Sequence, residues 1–185
     1  MSFRDVFVEF PVLETDRLKL RRMDYDDADD FYEIYKNKDV VEFLDWSGPR
    51  DEETAEMLIE YFNNQFEDTS AIRWGIEEKS SGVLIGTVVL HDFIKESIGD
   101  LGYDLNRNFW GKGYMTEVLK KVLEFCFNEM GMHRIQCLIS PDNKPSLTLV
   151  KKLGYKEEGL LRKRGYHEDD KFFYDVYQYS LLNTD

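Results

Sequence analysis

Apolar residues recur with helical spacing in several parts of the chain, most regularly between residues 115 and 126. Residues three and four positions apart share one face of an α-helix, so an unbroken stripe at this spacing predicts a long helix with one buried face. The stripe consists of Met115, Val118, Leu119, Val122, Leu123 and Cys126. Gly131 follows it, and glycine favours the left-handed conformation that ends many helices. We therefore predict a helix from about Gly113 to Gly131.

Three further helices are predicted from weaker patterns. Asp24 is placed to cap the first of them. Ser47-Gly48-Pro49 is the predicted start of the second, because proline is tolerated in the first turn of a helix and the acidic residues 51–53 suit its positive end. The third is predicted from about Asn143 to Leu153, ending at Gly154.

Alternating or continuous apolar runs, bounded by turn residues, predict β-strands elsewhere. The predicted strands cover residues 12–22, 72–76, 83–90, 97–105, 134–140, 155–164 and 171–182. In chain order the elements read β-α-α-β-β-β-α-β-α-β-β, with short gaps between them. This order predicts a single domain over residues 1–185 of the α/β (α+β) class. Its mixed sheet of about seven strands would be mostly antiparallel, with helices on both faces and one βαβ crossover.

Composition narrows the classes of protein that fit this order. Hydrophobic residues make up 42% of the 185 residues and aromatic residues 15%, which is enough to fill a sizeable core. The net charge of −13 argues against nucleic acid or an anionic membrane as a partner, because both need a basic surface. An acidic surface suits an amine-bearing partner, and it is equally an ordinary route to solubility.

The cellular location is predicted from what the sequence contains and lacks. No apolar run approaches the ~18 residues that span a bilayer, and the polar start Met1–Asp5 lacks the apolar core of a signal peptide. Cys126 and Cys137 lie in apolar stretches without metal-site spacing, so we predict buried free thiols and no metal. We expect a cytoplasmic protein that is a monomer or a homodimer.

The loop from Leu105 to Met115 joins a predicted strand to the long helix. A helix N-terminus has backbone N–H groups without partners and a positive dipole end. Gly111 and Gly113 lack Cβ atoms, so the backbone there can wrap around an anion, and Lys112 adds a positive charge. The loop therefore predicts a cradle for a phosphate or diphosphate, although a Gly-x-Gly pair taken alone also fits a plain tight turn.

Two familiar phosphate motifs do not fit this loop. The dinucleotide fingerprint requires a third glycine three positions after Gly113, where Thr116 stands. The P-loop requires four residues between its glycines and Lys-Ser/Thr after the second one. Any cradle here is therefore of another kind.

The segment 110–117, Trp-Gly-Lys-Gly-Tyr-Met-Thr-Glu, resembles the acetyl-CoA pyrophosphate loop of the GNAT acetyltransferases. It is most similar to the branch that contains the bacterial ribosomal-protein N-terminal acetyltransferases. Further matches to that branch, in the same order along the chain, occupy residues 14–21, 102–105, 143–146 and 153–162. Together they span a domain core of about residues 12–182. One position departs from the pattern, because many family members have Gln or Arg where this chain has Asn108.

The resemblance implies a GNAT-like sheet with a splayed pair of parallel strands that holds the cofactor. It implies acetyl-CoA as co-substrate, with backbone groups around Tyr103 and Leu105 bonding the pantetheine amides. The implied diphosphate-binding residues are Trp110, Gly111, Lys112, Gly113, Tyr114 and Met115. An amine would attack the thioester directly, without a covalent enzyme intermediate, and backbone N–H groups would stabilise the oxyanion.

Two residues at the start of the last predicted helix have alternative roles. Asn143 stands at the N-cap position, where its side chain can accept from the Ser146 N–H, and the family also places this residue beside the cofactor. Ser146 shares a face with Leu149, Val150 and Leu153 and therefore points inward. Its hydroxyl either bonds back to its own helix or donates to the departing CoA thiolate, the role implied by the resemblance.

The general base is left open by the sequence. An amine with a pKa of ~8–10 is mostly protonated near neutral pH, so a side chain or a water must take its proton. The candidates near the expected cleft are His91, Glu96, Asp100, Asp104, His167 and Glu168. The glutamate base of some ribosomal-type enzymes aligns here with Gly165, so that assignment does not carry over.

The acceptor is also left open. The first hypothesis is the N-terminal α-amine of a protein, with a ribosomal protein as the first choice. A small amine such as a polyamine, amino sugar or antibiotic is the alternative, and a CoA-binding module without turnover is a third. Residues 24–66 would shape the acceptor site. Their aromatic residues, which fit such a site or the core equally well, are Phe43, Trp46, Tyr61 and Phe62.

Overall fold

A computed structural model describes residues 3–185. Met1 and Ser2, which belong to the predicted domain and to the polar segment Met1–Asp5, lie outside the described residues. The strands are β1 Leu13–Glu14, β2 Leu18–Arg21, β3 Ala71–Glu78, β4 Leu84–Ile94, β5 Ile98–Leu105, β6 Arg134–Ile139, β7 Lys156–His167 and β8 Phe172–Leu182. The helices are α1 Ala28–Tyr35, α2 Lys38–Val41, α3 Glu52–Glu67, α4 Tyr114–Asn128 and α5 Lys144–Lys152.

The strands form one eight-stranded sheet in the order β1-β2-β3-β4-β5-β6-β8-β7. Every neighbouring pair is antiparallel except β5 and β6. The mixed α/β class, the mostly antiparallel sheet and the parallel pair are therefore confirmed. The predicted strand count of about seven is one short, because a turn at residues 15–17 splits the first predicted strand into β1 and β2, and Leu13 pairs back onto Leu20.

One predicted helix start is confirmed and another is wrong. Asp24 is an N-cap as predicted, for the 3₁₀ turn Tyr25–Asp27 that runs directly into α1. The next long helix, α3, does not begin at Ser47-Gly48-Pro49, because Gly48 has a left-handed φ of +84°. Asp51 is its N-cap instead, with Oδ1 accepting from the Thr54 N–H at 2.8 Å.

Buried side chains form two clusters that bring helices against the sheet. One cluster includes Trp74 and the inward face of α4, and it confirms the predicted apolar stripe. The other joins α1 and α3. A 3₁₀ helix at Phe3–Phe7, for which no element was predicted, adds Phe3 to the first cluster. Both cysteines are buried and free, as predicted.

Strands β5 and β6 diverge after a short parallel contact. Their pairing covers Ile98↔Arg134, Gly99↔Ile135 and Asp100↔Gln136. Beyond it, β5 continues to pair with β4 as far as Leu105, while β6 continues to pair with β8 as far as Ile139. The sheet therefore opens between the carboxyl halves of the two strands, which is the predicted splayed pair.

No helix among residues 3–185 is both long and apolar enough to cross a membrane. Within the same residues, no group of three or more His, Cys, Asp or Glu side chains is arranged to hold a metal ion.

A partly buried ion pair fixes the connection between β2 and α1. Arg21 donates to both carboxylate oxygens of Asp27 at 2.7 Å, and to Glu77 on β3 at 2.5 Å. We expect Asp27→Asn to lower the free energy of unfolding by about 2 kcal/mol, because the change leaves part of a buried charge without its partner. Urea unfolding measures the change. The control Glu33→Gln breaks an exposed pair with Lys36 and should cost less than about 0.5 kcal/mol; equal losses in the two variants would contradict this account.

Candidate functional site

A cavity of about 810 Å³ opens where β5 separates from β6. Its walls come from α2 and the segment after it, the end of β5, the loop before α4, and the starts of α4 and α5. Apart from Lys112, the predicted site residues all line it: Tyr103, Leu105, Trp110, Gly111, Gly113, Tyr114, Met115, Asn143 and Ser146. The structure thus brings together residues that lie more than forty positions apart in the sequence.

The loop before α4 presents its backbone to this cavity. Gly111 and Gly113 both have left-handed φ angles, +74° and +81°, and Gly113 is the N-cap of α4 without any side-chain capping bond. Within residues 3–185, the N–H groups of residues 111–116 donate no hydrogen bond. A row of unpaired N–H groups at the positive end of a 15-residue helix favours an anion.

Contacts within the loop fix its shape. The Trp110 indole donates to the Leu105 carbonyl at 2.6 Å, which folds the loop back onto the end of β5. Asn106 Oδ1 accepts from the Asn108 N–H at 3.0 Å and so caps the short 3₁₀ turn at Arg107–Phe109. Asn108 thus contributes its backbone to the turn at the position where the family often has Gln or Arg.

Arg17, for which no individual role was predicted, connects the loop to the turn between β1 and β2. Its Nη1 donates to the Lys112 carbonyl at 3.1 Å, and its Nε donates to Glu117 on α4 at 2.8 Å. The guanidinium also lies 4.2 Å from the centroid of the Tyr114 ring. In the sequence, Arg17 lies within the segment 14–21 that resembles the GNAT branch. That resemblance does not indicate its contacts with Lys112 and Glu117.

The positive charges at the cavity differ from the predicted one. Lys112 Nζ lies 5.0 Å from the Phe109 ring centroid, and Lys112 does not line the cavity. Arg107 and Lys152 do line it. Arg107 Nε donates to Asp39 at 3.2 Å, while its guanidinium stacks 4.6 Å from the Trp110 ring. The prediction for Lys112 rested on its place between two glycines, which does not determine where a long side chain points.

The free edge of β5 can pair with an extended ligand. The Asn106 N–H donates to the Ile85 carbonyl toward β4, and the polar groups of successive strand residues alternate between the two edges. The backbone groups of Tyr103 and Leu105 therefore face the gap left by β6. Because the Leu105 carbonyl already accepts from Trp110, the Leu105 N–H and both groups of Tyr103 are the ones available.

The start of α5 lies across this gap. Asn143 Oδ1 accepts from the Ser146 N–H at 3.1 Å, which confirms its predicted capping role. Thr148 bonds back to the Lys144 carbonyl, but within residues 3–185 no such bond from the Ser146 hydroxyl is found. Burial raises the pKa of Tyr103, and the nearby Ser146 hydroxyl offsets part of that rise.

The Tyr103 hydroxyl supports the fit to an elongated polar ligand. It is buried and has no partner in hydrogen-bonding geometry among the described residues. An unsatisfied buried hydroxyl is costly, and a bound molecule with polar groups would satisfy it. Unpaired loop N–H groups, a free strand edge and this hydroxyl together match an anionic head followed by an amide-bearing chain.

The predicted aromatic lining is only partly found. Phe43 lines the cavity. Trp46 packs 5.0 Å from the ring of Tyr35, Phe62 is buried in the second core cluster, and Tyr61 is exposed away from the cavity. A second depression, of about 760 Å³, lies on the open edge of the sheet at residues 160–164 and contains no predicted site residue.

Comparison with known proteins agrees with this geometry. The sequence profile of a family described as "Acetyltransferase (GNAT) domain" matches residues 17–156. The uncharacterized N-acetyltransferase YoaA of Bacillus subtilis strain 168 is 33% identical over 174 residues, which is 94% of this chain and 97% of YoaA. The [ribosomal protein uS5]-alanine N-acetyltransferase of Escherichia coli K12 is 27% identical over 158 residues, or 81% of this chain and 80% of the enzyme.

A solved structure shares the fold. Microcin C7 self immunity acetyltransferase MccE, in complex with acetyl-CoA and AMP, superposes with a TM-score of 0.80 over 91% of this chain and 93% of MccE. Its sequence identity is 20%, so the likeness concerns the fold alone.

The role of the glycine backbone can be tested with two matched alanine variants. Gly111 and Gly131 have nearly equal φ angles, +74° and +69°, and a Cβ at either position meets no atom within 4 Å. Both substitutions therefore carry the same left-handed strain, about 1 kcal/mol. Only Gly111→Ala places a methyl group where a ligand must approach the loop backbone, so we expect it to weaken coenzyme A binding at least about tenfold, or ~1.4 kcal/mol.

Isothermal titration calorimetry with coenzyme A measures this difference, and thermal unfolding checks that the two variants lose similar stability. Equal affinities for Gly111→Ala and Gly131→Ala would mean that the loop does not cradle the diphosphate.

Proposed function

The chain belongs to the GNAT family of acetyltransferases, and on that premise we propose that it acetylates the N-terminal α-amine of a protein, a ribosomal protein being the first candidate. It is an N-acetyltransferase whose acyl donor is acetyl-CoA. The main support for the site assignment is that one cavity is lined both by the free edge of β5 and by the unpaired N–H groups before α4.

The proposed binding mode follows the polarity of the cavity. The N–H groups of residues 111–116 hold the diphosphate, and the positive end of α4 favours its charge. The free backbone groups of Tyr103 and Leu105 pair with the pantetheine amides as a further strand would. Arg107 and Lys152 add positive charge along the wall. These proposed roles match the site residues predicted from the sequence, except that Lys112 contributes its backbone alone.

Acetyl-CoA supplies a reactive thioester. The protein has to position the amine, to assist removal of a proton from it, and to assist protonation of the departing thiolate. Ser146 is proposed to donate a hydrogen bond to the leaving sulfur, because it lines the cavity across the gap from Tyr103. Asn143 supports it indirectly by capping α5 and fixing the Ser146 backbone at 3.1 Å.

The acceptor is proposed to enter between α2 and the hairpin of β7 and β8. The hairpin is joined to the segment after α2, since the Glu168 N–H donates to the Asp45 carbonyl at 2.7 Å and the Ser47 N–H donates to Asp169 at 2.8 Å. Asp39 and Glu42 lie on the cavity wall beside this segment. Asp39 is already paired with Arg107, so the Glu42 carboxylate is the acidic group that favours a cationic acceptor such as an ammonium group at this entrance.

Protein and small-molecule acceptors are both compatible with this entrance. The E. coli relative that modifies an alanine of ribosomal protein uS5 favours the protein. The AMP bound with acetyl-CoA in MccE favours a small molecule as the alternative. A cytoplasmic location and a monomeric or homodimeric state stay predictions.

An acceptor panel separates these possibilities. With acetyl-CoA present, we expect free thiol to be released by peptides that begin with alanine or serine, because a free α-amine at a flexible terminus can reach the cavity. The matched control is each peptide with a blocked N-terminus and an internal lysine. Spermidine and glucosamine represent the small amines. Release with small amines alone would contradict a protein acceptor, and release with none of them despite coenzyme A binding would contradict turnover.

Ser146→Ala tests the proposed thiolate donor. We expect turnover to fall about tenfold, since a hydrogen bond made to the leaving group is lost, while the coenzyme A dissociation constant changes less than about twofold. Thr148→Ala, which removes an exposed hydroxyl from the same helix, is the control. A Ser146→Ala enzyme as fast as the Thr148→Ala enzyme would reduce Ser146 to a structural role.

A further inference from the structure

One acidic residue of the sheet lines the cavity. Of the six candidate bases in the sequence, Asp104 alone lines the cavity. Glu96 pairs with Arg4 at 2.9 Å, and Asp100 accepts from Gln136 at 2.5 Å. The other three are paired near the surface: His91 with Asp92, His167 with Asp170, and Glu168 with Lys171.

Asp104 is held by a network of hydrogen bonds from two other elements. The Tyr35 hydroxyl on α1 donates to Oδ2 at 2.7 Å. Thr87 on β4 donates twice, from its N–H to Oδ1 at 3.0 Å and from its hydroxyl to Oδ2 at 2.9 Å. Arg73 on β3 in turn donates to the Thr87 hydroxyl at 3.0 Å. The carboxylate is therefore fixed in one orientation at the end of β5.

The position of Asp104 on β5 separates it from the proposed donor side. Successive side chains of a strand point to opposite faces of the sheet. Tyr103 and Leu105 pack with the cluster that includes α4, whereas Asp104 contacts Tyr35 of α1. Tyr103 thus lies on the face near Ser146 of α5. Asp104 lies on the opposite face, with Tyr35 and the cluster that includes α2 and its following segment.

We propose that Asp104 is the general base of this enzyme and accepts the proton of the incoming ammonium group. The inference rests on the proposed transferase site and assigns a residue to its acceptor half. Asp104 takes one proton from R–NH₃⁺ and becomes a neutral carboxylic acid, which leaves the nitrogen lone pair free. Asp104 later returns its proton to water through the cavity.

The remaining bonds balance with this assignment. The nitrogen lone pair forms the N–C bond to the acetyl carbonyl carbon, and the C–S bond breaks with its electron pair leaving on sulfur. The nitrogen loses a second proton to water as the amide forms, and the thiolate, while it accepts a hydrogen bond from Ser146, takes one proton from water. The products are an N-acetyl amide, free coenzyme A and one proton released to solvent.

The surroundings of Asp104 suit this task. Burial raises the pKa of the Asp104 carboxyl, and Arg73 together with the Tyr35 and Thr87 hydrogen bonds offsets part of the rise. Tyr35 stays protonated, since burial raises its pKa as well. The other charged residues of the cavity walls near Asp104 are Asp39 and Glu42, in and after α2, and Arg107 after β5. A carboxylate whose pKa is raised toward neutral is a stronger base than an ordinary one.

Asp104→Asn tests the proposal, with Asp100→Asn as its matched control. Asp100 lies on the same strand, is also hydrogen-bonded, and has a pKa that burial likewise raises, but it does not line the cavity. The Asp104 variant should keep its affinity for coenzyme A, and thermal unfolding checks that it remains folded despite the altered hydrogen bonds with Tyr35 and Thr87. We expect its kcat/KM for the best acceptor of the panel to fall about 100-fold or more near neutral pH, and the Asp100 variant to change less than about threefold.

The pH profile distinguishes a base from a structural residue. In the wild-type enzyme, activity should fall as pH drops through the raised Asp104 pKa, and this acid limb should be missing in Asp104→Asn. A full acid limb in the variant, or a loss equal to that of Asp100→Asn, would overturn the proposal.

A second measurement does not require any acceptor. The Asp104 carboxyl carbon, assigned by comparison with Asp104→Asn, is titrated by NMR in the coenzyme A complex. We expect a midpoint above the ordinary aspartate value of about 3.9, and a midpoint at or below it would overturn the assignment. If the wild-type enzyme acetylates none of the amines, the proposal of a protein acceptor is wrong. The titration still tests the assignment of Asp104 as the base, because it needs no acceptor.

Discussion

Strands β5 and β6 run parallel but pair over only three residue pairs, and their early divergence is the constraint on which the site depends. Each strand is held on its outer side, β5 by β4 as far as Leu105 and β6 by β8 as far as Ile139, so neither can close the gap. The buried cluster under α4 stabilises both strands, because it contains residues of β5 and of β6. A polar edge inside a well-packed sheet is normally costly, and an amide-bearing ligand offsets that cost when it binds.

The same divergence organises the chemistry. The gap leads directly into the unpaired N–H groups at the start of α4, and Arg17 fixes that start by contacts to Lys112 and Glu117. Alternation along β5 then places the Tyr103 hydroxyl on one face, where Ser146 of α5 lies nearby, and the Asp104 carboxylate on the other. Proton removal from the ammonium group and protonation of the departing thiolate can therefore proceed at separate places without a covalent enzyme intermediate.

Local patterns predicted much of this arrangement. The stripe of α4 and the glycines before it were readable because helix periodicity and left-handed glycines are determined by nearby residues. The turn that splits β1 from β2 and the true start of α3 at Asp51 were missed, since both depend on capping and pairing that a short window does not reveal. The contacts of Arg17 with Lys112 and of Tyr35 with Asp104 join residues far apart in the chain, so composition and spacing could not indicate them.

We propose that the free edge of β5 and the loop before α4 form one continuous coenzyme A site. Titration of isotope-labelled protein with coenzyme A, followed through the backbone amide chemical shifts, tests it most directly. We expect the largest shift changes at residues 111–116 and at Tyr103 and Leu105, with little change at residues 160–164 on the open edge of the sheet. Changes centred on residues 160–164, with the loop and the β5 edge unaffected, would contradict it.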